Sequence, residues 1–578
     1  MITYFDKNLL QQVFNSNEFK GWLLSRRWFA DKFRLNNLAF NVSIKYFEIL
    51  LDRILLTITE IKTGEYSKSY FLPLIYYEKI QDILEPKEKK SDNIVKLTEN
   101  TYSKMVMLSV HDKQENIAFS LNLVEAEYCA FFWKKILFDK KISEIFPSLS
   151  LELTLHTEQF EDKVNMLKVQ QLIEAGLYKD RYEFSLKQLG GGNTTNLIFL
   201  LSIYNIKTPN LKSTSYVLKS YKEYSERLEP KTLYILVKNK FPYAPKIYGT
   251  IKIQGKETIG ILENVSNVGN LGDIYWNELN KMIYDIFQNA NNDYAYLGNK
   301  EHIHNLIEKY CQETLNVSEK IGIQIKNLHE ALISESDEQY SKEIVNSEDY
   351  LKGYTEKLNH MISELQKSMS KKSQSALFKS PKITSILIDI KDIIEKFRSE
   401  FDTPIIKIQP VHQDLHMQQI LYDRQNGEYK FYFIDFEGDP QLSIEEKKLK
   451  FPIEKDLGSF LRSLSYIKFT MLLNFIEKKI VEKDKYEVPE EFLFSLYFRK
   501  AAKISNKIKT LEIVLNVLNT WENRLMRKIF DKSLKLHFTL INYFTIERAL
   551  HELDYELLFR PNKMIIPILG LKEILDKY

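Results

Sequence analysis

Residues 411–440 read VHQDLHMQQILYDRQNGEYKFYFIDFEGDP. Asp414 stands two residues after His412, Gln419 five residues after Asp414, and Asp435 inside the run Ile434-Asp435-Phe436-Glu437-Gly438. Asn426-Gly427 is a tight-turn dipeptide, so the apolar residues on either side are expected to fold back as a two-stranded hairpin. That hairpin would bring Asp435 beside the loop that bears Asp414. The residue types suit phosphoryl transfer. This reaction asks for a carboxylate beside the attacking hydroxyl, a side-chain amide on a magnesium ion, and a second carboxylate on the metal. Asp414 suits the first task, Gln419 the second and Asp435 the third, with Glu437 as a helper. All offer the oxygen donors that magnesium takes. His416 would touch substrate or brace the loop. A lone loop aspartate carries little weight, and it is the spacing of the whole set that makes the argument.

Upstream, Leu189-Gly190-Gly191-Gly192-Asn193-Thr194-Thr195-Asn196 lies between two strand-like runs. Glycines let a backbone approach phosphates, and hydroxyls add donors. Gly191, Gly192, Asn193, Thr194 and Thr195 are therefore candidate contacts to ATP. Lys219 closes the apolar run Val217-Leu218-Lys219, the place from which a strand lysine pairs with the α- and β-phosphates. Such a lysine needs a helix carboxylate, and Glu229 is the candidate. Leu262 to Val265 follows a hairpin turn at Gln254-Gly255-Lys256-Glu257. Its backbone at Glu263 and Val265 is the expected contact for adenine.

Downstream, Arg548, Glu552 and Tyr555 recur at i, i+4 and i+7, hence on one face of a helix. A ring flanked by charged groups suits a sugar, which offers C–H patches and hydroxyls.

The chain has 578 residues, enough for several domains. Its 44% hydrophobic and 13% aromatic content exclude bulk disorder. Lys and Arg number 81 against 78 Asp and Glu, which gives no reason to expect nucleic acid or a membrane surface as partner. Cys129 and Cys311 are far apart and form no metal-binding pair. The acidic and amide-rich start is unlike a signal peptide, and no apolar run approaches the ~20 residues of a membrane span. A cytoplasmic protein is expected. Residues to about 112 read as β-rich, with strands over 42–46, 54–61 and 70–77 and a charged loop at 85–96. Residues 118–138 read as a helix, 182–265 as a second β-rich zone, 302–333 as a long helix, and 368–382 as a connection.

The block at 411–440 resembles the catalytic segment of aminoglycoside-phosphotransferase-like kinases, and among them the maltokinase family, whose usual form is HGDxHxxQ followed by xDFEGEP. Other stretches are similar to that family too. They are RRWFADK at 26–32, YFLPL at 70–74, GGGNTTN and YVLKS in the glycine and lysine segments, and LHEAL at 328–332. The chain's DLGSFLRS at 456–463 resembles DVAGMLRSF, with Asp456 a structural brace. Residues 548–567 resemble KALYEVxYE…RP…IP. The chain departs from the family at Gln413, where Gly is usual, and at Asp439, where Glu is usual. It departs again at Arg548 and His551, where Lys and Tyr are usual.

The resemblance implies an α+β, bilobal, protein-kinase-like fold. Its parts would be an N-terminal β-rich cap (1–112), a nucleotide-binding lobe with the glycine loop (113–265), and a mainly helical lobe with the catalytic loop and sugar pocket (266–578). It also implies transfer of phosphate from ATP, with Mg2+, to maltose, giving maltose 1-phosphate for α-glucan synthesis. Association with a trehalose or glucan pathway enzyme would follow. The alternatives are another sugar or amino-sugar kinase such as a glucosamine kinase, or an inactive kinase-like protein that binds glucan.

Overall fold

The computed structural model describes residues 7–29, 31–35, 40–50, 54–64, 66–77, 105–112, 117–138, 149–156, 182–190, 195–205, 214–288, 294–372, 381–440, 442–481, 489–498, 506–530 and 536–578. The chain forms two compact units, Met1–Lys238 with Pro245–Val265, and Asn239–Ala244 with Ser266–Tyr578. The first is rich in strands and the second mainly helical, which is the α+β organisation expected.

The first unit holds two antiparallel sheets. One contains β1 (Asn41–Leu50), β2 (Ile54–Thr63), β3 (Tyr66–Phe71), β4 (Leu74–Tyr77), β5 (Met105–Asp112) and β6 (Ile117–Glu125), in the order β1-β2-β4-β6-β5 with β3 also on β2. Before it come α1 (Lys7–Asn15), α2 (Asn17–Ser25) and α3 (Lys32–Leu35). Phe14 stacks on Phe19 at the α1–α2 junction, and Trp28 and Phe29 pack on Tyr70, so the Trp-Phe signature is core. The helix expected over 118–138 is two elements. In IAFSLNLVE the apolar residues alternate, and that period-two pattern makes β6, while α4 starts only at Ala130 (Ala130–Phe138). Because β5 and β6 pair along their whole length, the cap sheet extends to Glu125 and not to residue 112. The charged segment 85–96 lies outside the described residues.

The second sheet runs β7-β11-β12-β10-β9-β8, where β7 is Leu151–Leu155, β8 Tyr182–Leu189, β9 Leu197–Asn205, β10 Thr214–Ser220, β11 Ile247–Ile253 and β12 Lys256–Glu263. Helix α5 (Glu229–Lys238) packs beside β11. The two sheets are joined by backbone bonds from Phe71 N to Lys222 O (2.8 Å) and from Tyr224 N to Ser69 O (2.7 Å). A buried pair, Lys222 Nζ to Glu127 Oε1 at 2.6 Å, crosses the same junction.

In the second unit, β13 (Gly269–Asn270) leads into α6 (Leu271–Ile286), whose first turn is closed by Asn270 N donating to Asp273 Oδ2 (2.9 Å). The long helix expected over 302–333 is broken at Cys311 into α7 (Lys300–Tyr310) and α8 (Gln312–Ala331). Glu278 of α6 takes the Thr314 N–H at 2.8 Å and so caps the second piece. There follow β14 (Glu343–Asn346), α9 (Ser347–Lys372), α10 (Pro381–Ser399) and β15 (Ile405–Ile408), which pairs with β14. The connection expected over 368–382 is helical to Lys372, and residues 373–380 lie outside the described residues. Next come the site hairpin β16 (Ile420–Gln425) and β17 (Glu428–Phe433), then α11 (Ile444–Lys447), α12 (Glu454–Phe475), α13 (Pro489–Phe498), α14 (Asn506–Phe530), α15 (Phe538–Phe559) and α16 (Ile565–Leu575).

Two helices matter most for the site. α12 and α15 cross at Gly458, where a Cβ would lie 2.8 Å from Thr545 N and 3.0 Å from Ile541 O. The backbones touch because residue 458 has no side chain.

Candidate functional site

The hairpin forms as its turn residues dictate. Asn426 and Gly427 both take positive φ (53° and 84°), and β16 and β17 pair from Ile420–Phe433 to Gln425–Glu428. At its open end, Ile434 N donates to Gln419 O (2.9 Å) and Gln419 N to His416 O (2.8 Å), so the loop and the strand after the hairpin are pinned side by side. Gln419 Nε2 then meets Asp435 Oδ2 at 3.0 Å. Asp435 sits at φ 66°, an unusual backbone for an aspartate that costs about 1–3 kcal/mol. Glu437 follows two residues on, half-buried.

The loop is held from behind. Asp456, fully buried on α12, accepts the backbone N–H groups of His412 (2.9 Å) and Gln413 (2.8 Å) and a bond from His329 Nε2 (2.9 Å). Burial pushes the Asp456 carboxyl up, but the His329 hydrogen bond and charge outweigh it and the net direction is down. His412 donates from Nε2 to Ile434 O (2.9 Å), and Met417 N donates to Ser463 Oγ of α12 (3.2 Å).

Gln413 occupies the position where the resembling family has Gly, and its φ is 69°, a conformation that glycine adopts without strain. The glutamine is accommodated because its backbone N–H is held by Asp456 and its Nε2 donates to Lys447 O (2.7 Å). Gly438, at φ 75°, leaves space for it, since a Cβ there would lie 3.1 Å from Gln413 Oε1.

Asp414 faces a cluster of charges. Its Oδ1 accepts from Arg548 Nη1 at 2.5 Å, and His416 Nε2 lies 3.6 Å from Oδ2. Burial raises the Asp414 carboxyl, yet Arg548 and then His416 prevail and hold it at about 2. It is therefore ionised at neutral pH. Burial opposes the Arg548 charge, and Asp414, Asp439 and Glu552 overcome it, so the guanidinium is held in its charged form. Arg548 Nη1 is 3.9 Å from Asp439 Oδ2, and its Nε is 3.9 Å from Glu552 Oε1. His551 Nδ1 bonds Asp439 Oδ2 at 2.6 Å. Glu552 Oε2 accepts from Arg462 Nε (3.2 Å) and Nη2 (2.6 Å).

Of the residues expected on one helical face, Arg548 and Glu552 thus join the Asp414 cluster. Tyr555 lies about 10 Å beyond Arg548 along α15 by helical rise, and its ring stacks on Phe559 (4.5 Å) beneath the Arg560 guanidinium (5.2 Å). His551, Asp439 and Arg462 are cluster members that the residue types alone did not single out for a role. Asp439 and His551 are two of the four departures from the resembling family's pattern, and they bond each other.

In the first unit, Lys219 Nζ meets Glu229 Oε2 at 2.7 Å, both buried. Tyr221 Oη donates to the same oxygen (2.9 Å) and lies beneath Lys219. Across the sheet Lys219 pairs in register with Gly260, where a Cβ would lie 2.9 Å from Tyr221 Oη. Glu263 N donates to Lys246 O (2.9 Å), its carboxylate accepts from Lys246 N (3.1 Å), and Val265 is buried. Thr195 is exposed beside Asn196, which accepts from Lys222 N (3.3 Å). Gly191, Gly192, Asn193 and Thr194 lie outside the described residues.

No helix among the described residues is long and apolar enough to cross a membrane. No protein-family model matches the chain, and no curated protein does. Some solved structures are similar. A glucosamine kinase (crystal form A) has 10% identity and a TM-score of 0.48, covering 93% of this chain and 93% of that one. A glucosamine kinase in complex with glucosamine, ADP and inorganic phosphate has 11% identity and a TM-score of 0.43, covering 96% and 98%. An ethanolamine kinase of Plasmodium vivax has 13% identity and a TM-score of 0.32, covering 75% and 93%. All three scores are below 0.5.

Proposed function

We propose that this chain is an ATP-dependent kinase that phosphorylates a sugar hydroxyl, with maltose the acceptor and maltose 1-phosphate the product. The observation that carries the reading is the loop-and-hairpin arrangement, which sets an ionised Asp414 on the same short loop as the Gln419–Asp435 pair. In the transfer, Asp414 orients the acceptor hydroxyl through one carboxylate oxygen and takes its proton as the oxygen attacks the γ-phosphorus, and ADP departs. Lys219, aimed by Glu229, holds the α- and β-phosphates, with Glu263 and Val265 at the adenine. Gln419, Asp435 and Glu437 are the residues that would hold Mg2+. They fit a hard cation because each offers oxygen, and carboxylate oxygens of Asp435 and Glu437 lie within 4.8 Å of one another. When bound, that ion neutralises charge on the β- and γ-phosphates.

A second reading, an amino-sugar acceptor, is favoured by one feature. Three carboxylates, Asp414, Asp439 and Glu552, lie within 3.9 Å of Arg548, and a cationic amine would be attracted to such a group. The test is phosphoryl transfer from ATP to maltose, glucose, glucosamine and maltotriose, measured side by side. A kcat/KM highest for maltose supports the first reading, and one highest for glucosamine replaces it with the second. ATP turnover that no sugar stimulates sinks both.

A further inference from the structure

We propose that Arg462 is a positioning residue for the transfer, which acts through Glu552 and Arg548 to hold one oxygen of Asp414 so that the other faces the acceptor hydroxyl. The proposal rests on the assignment of Asp414 as the base. The four side chains alternate in charge and are linked in order. Arg462 spends Nε and Nη2 on Glu552 Oε2 (3.2 and 2.6 Å). The other oxygen of Glu552 faces Arg548 Nε at 3.9 Å, and Arg548 Nη1 holds Asp414 Oδ1 at 2.5 Å. Asp414 Oδ2, the oxygen turned towards His416, is thereby the one offered to the acceptor.

Two further observations point to this role. Arg462 is 1% exposed, and α16 makes room for it with Gly570, where a Cβ would lie 2.1 Å from Arg462 Nη1. A buried ion pair seldom adds more stability than an apolar pair of the same volume, so stability alone is a weak reason for an arginine in that slot. Arg462 also shares α12 with Asp456 and Ser463, which hold the backbone of the catalytic loop. One helix thus sets both the loop and the orientation of its carboxylate.

Glu552 sits between two guanidinium groups. If Arg462 is removed, Arg548 is the cation left in the ion pairs of Glu552 among the described residues, and the carboxylate draws it off Asp414. The Arg462→Met variant, assayed with ATP, magnesium and the sugar selected above, should lose about tenfold in kcat with the KM for ATP unchanged. The acidic limb of its kcat/KM profile for the sugar should move to higher pH, as Asp414 loses its cation. Adding Glu552→Gln removes the group that competes for Arg548, so the double variant should recover most of kcat. A double variant no better than Arg462→Met overturns the proposal. Should Arg462→Met not fold, Gly570→Ala displaces the guanidinium without deleting a charge. It should lower kcat with the same unchanged KM for ATP, and wild-type kcat in a folded Gly570→Ala protein overturns the proposal. The two readings fail separately. An active Asp414→Asn removes the base, whereas an inactive Asp414→Asn with no rescue removes only the relay.

Discussion

Each unit carries a cation bonded to a carboxylate, and the two pairs differ in their surroundings. Lys219 and Glu229 form a tight buried pair, with Tyr221 donating to the same carboxylate oxygen. Arg548 instead stands among Asp414, Asp439 and Glu552, at 2.5, 3.9 and 3.9 Å. A short contact of 2.7 Å to one carboxylate aims the lysine in one direction. A guanidinium shared by three carboxylates is set by the balance of its neighbours, so its position responds to any change in them. In the proposed reaction the first pair would serve a nucleotide that is the same in every turnover, and the second would stand where an acceptor is admitted.

Five variants would break or sharpen that contrast. The largest effect is expected from Asp414→Asn, which should cost roughly 10²–10⁴-fold in kcat and leave ATP affinity nearly unchanged. A variant that keeps more than about a tenth of the rate would exclude general-base catalysis. Lys219→Met should come next, lowering kcat/KM for ATP by about 10–100-fold, the worth of a charge-assisted contact of about 1.5–3 kcal/mol. Glu229→Gln should cost less, because the lysine survives and only its aim is lost. Equal losses in the two would mean that Glu229 does more than orient Lys219.

Arg548→Met should reduce kcat about tenfold, and its diagnostic is pH. In the native protein Arg548 and His416 hold the Asp414 carboxyl at about 2 against burial. Without the guanidinium, burial is the largest influence left, and it raises the carboxyl. The acidic limb of kcat/KM should therefore shift upward, and an unmoved limb would show that Arg548 does not set the charge of Asp414. Stability follows the same sign. A depressed carboxyl stabilises the native state above its unfolded value near ~3.9, and that contribution disappears as pH falls towards 2. The variant should lose stability at higher pH than the native protein does.

The smallest effect is expected from Tyr555→Ala. Its ring stacks on Phe559 beneath Arg560, so the substitution should remove about 0.5–1.5 kcal/mol of aromatic packing and lower the melting temperature. The KM for the sugar should change less than twofold. A larger rise in a well-folded variant would return Tyr555 to the acceptor site.

What could be read from residues alone followed from local chemistry. The hairpin was legible because Asn426-Gly427 dictates its turn, and the Gln419–Asp435 contact because that turn sets the register of the strands. Lys219 lies near the end of β10 and Glu229, ten residues on, opens α5. Less was legible where the partner is remote. His551 and Asp439 are 112 residues apart, and only their common departure from a family pattern marked them. Arg462 stood only as one letter of the segment that resembles DVAGMLRSF, because its partner Glu552 lies 90 residues away. The cap strand over 117–125 was misread because its apolar residues ran into those of α4, and the contiguous apolar stretch hid the change of period. Arg548 and Tyr555 share a helical face by their spacing. Residues on one face can still lie two turns apart along the axis.

The contact at Gly458 gives the catalytic group a remote vulnerability. α12 carries Asp456 and Arg462, α15 carries Arg548 and Glu552, and their backbones meet at this glycine with no side chain to keep them apart. Even alanine there would act as a wedge, because its Cβ would fall about 3 Å from backbone atoms that cannot rotate out of the way. The helices would have to separate, and the distance from the loop brace to the arginine on Asp414 would lengthen with them. Gly458 is therefore the gauge block of the Asp414 cluster, a residue that sets the gap between the two helices whose side chains hold it.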